Sequence, residues 1–248
     1  MSIRLITAAE RPDLVAPAEA MNSAVWPAYL STASYHANWY RLYEPHLSPF
    51  QTIAVEDGAV VGLANCVPFP LPEGGSLPDE GWDWVLATGI AAREKGIACN
   101  ALSALSVAIV PEYRRTGLAV EMLTRMKQFA RQANLSAMYA PVRPTGKPRY
   151  PLQAFDTYCH WTRPDGTPFD PWLRTHVLMG ARFVSIAARS MTVSASTDQW
   201  QKWTGLRFPQ SGAYYLEGGL APLQIDLDAD RVTYLEPNYW MQHPLTAD

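Results

Sequence analysis

The run Ile109-Val110-Pro111-Glu112-Tyr113-Arg114-Arg115-Thr116-Gly117-Leu118-Ala119 constrains this chain more than any other stretch. Residues 101–110 are small and apolar and read as a buried strand that Pro111 ends, since proline gives no N–H to a ladder. From 118 to 134 the period changes to that of a helix. Leu118, Ala119, Met122, Leu123, Met126, Phe129, Ala130 and Ala133 share one face, with Glu121, Arg125, Lys127, Gln128 and Arg131 opposite. Such a helix packs on a sheet. Its start leaves backbone N–H groups unpaired at the positive end of the helix dipole, so the turn between strand and helix is an anion site in waiting. Gly117 and Ala119 keep bulk away from an anion there, and Arg114 and Arg115 add positive charge.

Around this unit the elements alternate. Residues 2–7 read as a strand, and residues 8–43 as one or two helices interrupted near Pro27. Residues 51–56 and 59–67 flank Asp57-Gly58, a pair that supplies the positive φ angles of a two-residue hairpin, so the sheet is at least partly antiparallel. Residues 68–81 hold four prolines and three glycines and read as a loop, followed by a helix over 82–95 that Gly96 stops. A strand is expected at 137–142. The polar, proline-rich stretch 143–170 is too long for an ordinary connection and is therefore functional or mobile. Asp170-Pro171 opens a helix closed by Gly180, ahead of a strand over 182–193. A short helix at 197–203 and strands at 212–225 and 231–236 complete the chain.

Composition removes several classes of function. Net charge is −3 and no run of Lys and Arg appears, so nucleic acid is not an expected partner. No stretch offers the roughly 18 apolar residues of a membrane span, and the first residues lack the apolar core of a signal peptide, which predicts a soluble, cytoplasmic protein. Cys66, Cys99 and Cys159 are too widely spaced for a zinc site or a disulfide framework and read as reduced core thiols. No metal is expected.

The loop matches Arg/Gln-x-x-Gly-x-Gly/Ala through Arg114, Gly117 and Ala119, and here the sequence resembles the GCN5-related N-acetyltransferase (GNAT) family. The order of elements over residues 2–195 resembles the family's as well. The resemblance implies a mixed, mostly antiparallel α+β sheet with helices on both faces, enlarged by an insertion at 68–98 and by extra C-terminal strands. Residues 1–195 would form the acyltransferase domain, and 196–248 an extension packed on it. It implies acetyl-CoA or another acyl-CoA as donor, with the phosphates on Arg114, Arg115, Thr116, Gly117, Leu118 and Ala119. The pantetheine arm would pair with the backbone at Ile109 and Val110, where the strand splays from residues 137–142. The implied reaction is direct attack of a deprotonated acceptor amine on the thioester, with the thiolate leaving as it gains a proton.

Family members often place the proton donor, a tyrosine, four residues before the glycine that ends the penultimate helix. Here that glycine is Gly180 and the position is His176, whose imidazole, with an ordinary pKa near 6.5, gives or takes a proton at neutral pH. The strand before the motif carries no carboxylate base. Ser103 and Ser106 could at most orient a water, and Glu112 reads as a solvated turn residue. Cys159-His160 are neighbours that seldom face one site, and Glu236 to Trp240 and Trp200 to Gly205 read as packing anchors. Trp26, Tyr29, Tyr35 and Trp39 either line an acceptor pocket or fill the core. The acceptor is expected to be a small molecule, with an acyl carrier protein as an alternative donor. A silent acyl-CoA-binding module and a cofactor-free interaction domain are the competing readings.

Overall fold

The computed structural model describes residues 3–31 and 38–245. The described elements are β1 (Arg4–Thr7), α1 (Val15–Val25), β2 (Thr52–Glu56), β3 (Ala59–Phe69), α2 (Gly81–Glu94), β4 (Ala101–Ile109), α3 (Leu118–Gln132) and β5 (Ala137–Val142). They continue with α4 (Phe155–Cys159), α5 (Pro171–Leu178), β6 (Arg182–Ala195), α6 (Thr197–Thr204), β7 (Gly212–Tyr214), β8 (Leu223–Asp226) and β9 (Arg231–Pro244). The strands form one sheet in the order β1-β2-β3-β4-β5-β9-β8-β7, with β6 on the far edge of β9. Every pairing is antiparallel except that of β4 with β5.

Alternation along the central strands feeds two cores. Leu102 and Ala104 of β4 and Met138, Ala140 and Val142 of β5 join Met122, Leu123 and Met126 of α3 and Leu173 of α5 on one face. Ala101 and Leu105, with Ala137 and Tyr139, meet Trp82, Leu86 and Ile90 of α2 and Trp200 of α6 on the other. Leu118, Met122, Leu123, Met126, Phe129 and Ala130 of α3 are buried as the spacing predicts, whereas Ala119 is half-buried and Ala133, at the C-cap, is exposed. Lys127, on the face expected to be solvated, is only 8% exposed.

Four readings of the sequence change. The hairpin's second strand passes through Pro68, which pairs with Leu102, and ends at Phe69. The stretch read as a single strand over 212–225 is two, β7 and β8, paired to each other. The strand expected to end at Glu236 continues to Pro244, because Trp240 and Met241 fall where both edges are occupied. Along β9, residues 239–244 pair with β5, residues 239–242 also pair with β6 on the other side, and residues 231–233 pair with β8. The segment from residue 8 to 43 yields α1 and the short turns Ala28–Leu30 and Tyr40–Tyr43; the remainder of the expected second helix overlaps residues outside those described.

Because β9 lies between β5 and β6, residues 231–244 complete the sheet's middle. A chain ending at Ala195 is expected to show no cooperative melting transition by circular dichroism; an unchanged melting curve would mean that the β5–β9 pairing adds nothing to stability.

Candidate active site

The site begins where two strands part. β4 and β5 pair only from Ala101 to Ser103 against Ala137 to Tyr139. Past that point each follows its outer neighbour, β4 with β3 up to Ile109 and β5 with β9 up to Val142. The register of β3 on β4 jumps here, Asn65 facing Ser106 and Cys66 facing Ala104, so Leu105 is an extra residue on β4. A bulge bends its strand and strengthens the local twist, which turns β4 away from β5. The freed Leu105 carbonyl accepts the Trp82 indole N–H at 2.9 Å. A cavity of about 760 Å³ fills the wedge, walled by residues 104–107 and Ile109 on one side and 140–143 on the other.

At one end lies the basic loop. Arg114, Arg115 and Ala119 line the cavity. Gly117 caps α3 with φ of 96° and no side-chain cap, and Arg115 is also left-handed at 68°. A Cβ at Gly117 would meet nothing within 4 Å, so backbone angle rather than space demands glycine. Ile109 reaches the cavity, and its carbonyl accepts from Arg114 Nε at 3.2 Å. Val110 stands outside the wall with both backbone groups engaged, its N–H to Val61 and its carbonyl to the Tyr113 N–H. Thr116 is exposed and donates its hydroxyl to the Tyr113 carbonyl, while the Leu118 side chain is buried in the core, so the loop offers chiefly main chain and two guanidinium groups.

His176 on α5 lines the same cavity and is 2% exposed. Asp170 fixes that helix. One carboxylate oxygen accepts the Trp172 and Leu173 N–H groups at 2.9 and 3.0 Å, and the other accepts the Gly146 N–H at 2.7 Å and the Tyr158 hydroxyl at 2.9 Å. The stretch 143–170 is thereby tied down as a wall, with Tyr150, Tyr158, Trp161 and Phe169 packed ring against ring. Nδ1 of His176 lies 2.8 Å from Nε2 of His243 on β9, while Nε2 of His176 has no partner among the described residues. Burial, then the neighbouring His243, pushes His176 well below 6.5; burial, then Lys127, pushes His243 to about 4. Both rings are neutral near pH 7, one proton each. When His243 donates across the pair, His176 carries its proton on Nε2, and when His176 donates, Nε2 keeps a lone pair.

The other end is aromatic and acidic. Trp26 and Trp39 line the cavity, and Trp39 stacks on Trp82 with centroids 5.7 Å apart. Tyr29 instead packs on Trp200 and Tyr234 in the core, and Tyr35 lies outside the described residues. Arg143 donates to Glu236 at 2.9 Å and to the Gly218 carbonyl at 2.6 Å, and Tyr234 donates to the other oxygen of Glu236. Sequence reasoning passed over Glu19, His243 and the Arg143–Glu236 pair. The signal for Glu19 was local: with Asn22 it lies on the buried side of α1 in an Ala-rich run. His243 gave none, since its partner is 67 residues away. Cys159 and His160 do not share a site. The thiol is buried and pushed up to about 12, mainly by desolvation, whereas His160 is exposed beside Asp156.

Residues 18–155, from α1 through the basic loop to α4, match the family described as Acetyltransferase (GNAT) family. The chain belongs to the GNAT family. It is 35% identical, over an alignment of 273 residues, to Arginine N-acetyltransferase avaD of Aspergillus versicolor, with 97% of this chain and 93% of that protein covered. In fold, this GNAT protein is similar to the loading GNATL domain of CurA from Lyngbya majuscula, at TM-score 0.67 and 16% identity over 99% of this chain and 98% of that one. It is also similar to the GphF GNAT-like decarboxylase in complex with isobutyryl-CoA, at TM-score 0.61 and 18% identity over 99% and 100%. As a GNAT member it is an acyltransferase that moves an acyl group from CoA to an amine. None of its described helices is long and apolar enough to cross a membrane.

The histidine pair makes stability depend on pH. Both rings have folded pKa values depressed below the ordinary 6.5, so acid favours the unfolded chain, which binds the extra protons. Their stabilisation is full above about pH 6.5 and falls away on acidification toward pH 4. In a series of melts across that window, His243→Leu is expected to give a shallower fall than the parent; parallel slopes would remove the pair from the account.

Proposed function

We propose that the protein transfers an acetyl group from acetyl-CoA to an amine of a small-molecule acceptor. The observation that carries this reading is the continuity of one cavity, from the basic loop through the β4–β5 wedge to the aromatic end, so that donor and acceptor meet at the parted strands. Arg114, Arg115 and the N-terminus of α3 hold the donor's phosphates, with Thr116, Gly117, Leu118 and Ala119 supplying backbone. The open stretch of β4 down from Ile109 faces the pantetheine arm. A carrier-bound arm lacks the adenine nucleotide, and so the basic loop favours free CoA. The likeness to an arginine N-acetyltransferase makes arginine the first acceptor to try.

In the transfer, the acceptor's neutral amine attacks the thioester carbonyl, the C–S bond breaks, and the amine's surplus proton is lost as the leaving sulfur gains one. His176 lines the cavity, its Nε2 has no partner among the described residues, and in the tautomer where His243 donates, that atom presents an N–H to the departing thiolate. Deep burial keeps the ring neutral, so its part is an N–H hydrogen bond to the developing thiolate, while the surplus proton shed by the amine balances the one the sulfur takes up.

Two variants test these roles. Gly117→Val forces a β-branched residue to φ of 96°, and donor affinity by calorimetry is expected to fall about tenfold or more as the loop shifts. Unchanged affinity would remove the loop from donor binding. His176→Phe is expected to lower kcat by roughly a hundredfold or more while leaving acetyl-CoA affinity within a few fold. Equal kcat would return the histidine to a packing role.

A further inference from the structure

At the acceptor end, Glu19 is a buried carboxylate without a counter-ion among the described residues. It is 8% exposed, lines the cavity, and has no Lys, Arg or His in ion-pair contact among the described residues. Of the arginines that line the cavity, the half-buried Arg143 is taken up by Glu236. What holds Glu19 in place is neutral. Trp39 Nε1 donates to Oε2 at 3.0 Å, Asn22 Nδ2 reaches the same oxygen at 3.5 Å, and the Tyr43 hydroxyl donates to Oε1. Tyr43 in turn accepts from Asn65 at 3.0 Å, and Asn65 bonds Gln51, so the carboxylate sits at the end of a buried polar chain running down to β2 and β3. Burial, then the charge of Glu19, raises the Tyr43 pKa, which keeps that hydroxyl a donor.

This is a built position with an open side. A carboxylate offers about four acceptor positions, and the three donors among the described residues leave one unfilled. A buried charge that no protein cation offsets is costly, and a ligand cation arriving in the cavity relieves that cost. Neighbouring indoles add a further preference for cations over anions.

We infer that Glu19 is the cation-binding residue of the acceptor site. It takes the guanidinium or ammonium of a basic amino compound, leaving a second amine of the same molecule to be acylated. The inference rests on the acyltransferase reading above for the second amine's fate, but the binding step stands apart from turnover. It also fixes the acceptor class: a molecule with two basic nitrogen groups, such as a basic amino acid or a diamine, rather than an acidic or purely apolar amine.

Calorimetric titration of the full chain, saturated with CoA, against arginine, agmatine and citrulline tests it, since citrulline replaces the guanidinium by a neutral urea of the same shape. Arginine and agmatine are expected to bind, with citrulline on the order of ten- to a hundredfold weaker, the ratio that a charge-assisted hydrogen bond supports. E19Q is expected to bind all three equally weakly with its CoA affinity intact. Citrulline binding the parent as tightly as arginine, or no binding by either cation, overturns the inference without recourse to any variant. So does E19Q with undiminished arginine affinity and lost kcat, which would make Glu19 a proton acceptor. A separate assay of CoA release from acetyl-CoA keeps the two readings distinct: cation binding at Glu19 without CoA release leaves the subsite standing and removes the transferase reading.

Discussion

Everything in the candidate site depends on β4 and β5 ceasing to pair after Ser103. A parallel pair that continued would be an ordinary sheet interior with no room between the strands. Here the extra residue Leu105 bends β4, and long antiparallel partners, β3 on one side and β9 on the other, hold the two strands on their separate paths. The wedge is therefore not a flexible opening. It is maintained by ladders on its outer edges, and the Trp82 indole occupies the Leu105 carbonyl that the bulge sets free.

Charge is distributed around that wedge with a consistent logic. The buried carboxylates are answered by hydrogen bonds and the buried histidines are kept neutral. Asp170 spends both oxygens on a helix cap, a backbone N–H and a tyrosine, which locks α5 and the long wall against each other. Arg143 and Glu236 satisfy each other beneath the aromatic end. His176 and His243 are held uncharged by burial, with His243 acting further on His176 and Lys127 on His243. Glu19, like Asp170, has only neutral donors among the described residues, but it has three where Asp170 has four, and unlike Asp170 it lines the cavity.

The local elements were largely legible because their signals are local. Pro111 ends β4, the apolar period of α3 runs from Leu118, Asp57 and Gly58 both take positive φ at the hairpin, and Asp170 caps α5. The same holds for the loop of Arg114 to Ala119, where a left-handed glycine precedes a helix. What escaped were properties of pairs. Lys127 reads as a surface residue by helical phase, yet it is buried near His243 because β9 lies alongside β5. Tyr29 and Trp26, three residues apart in sequence, part company: one fills the core against Trp200 and the other walls the cavity.

By itself the sequence determined the strand–loop–helix unit, the alternation of elements around it and the family to which they point, since proline, glycine, caps and hydrophobic period act over a few residues. The tertiary structure alone decided that β9 enters the sheet beside β5, that His243 meets His176, and that Glu19 faces the cavity with no cation beside it among the described residues. The physical reason is the range of the interactions. Strand order and the partners of buried charges are set by which distant segments compete best for the same edge or the same desolvated space, and no local pattern records the outcome of that competition.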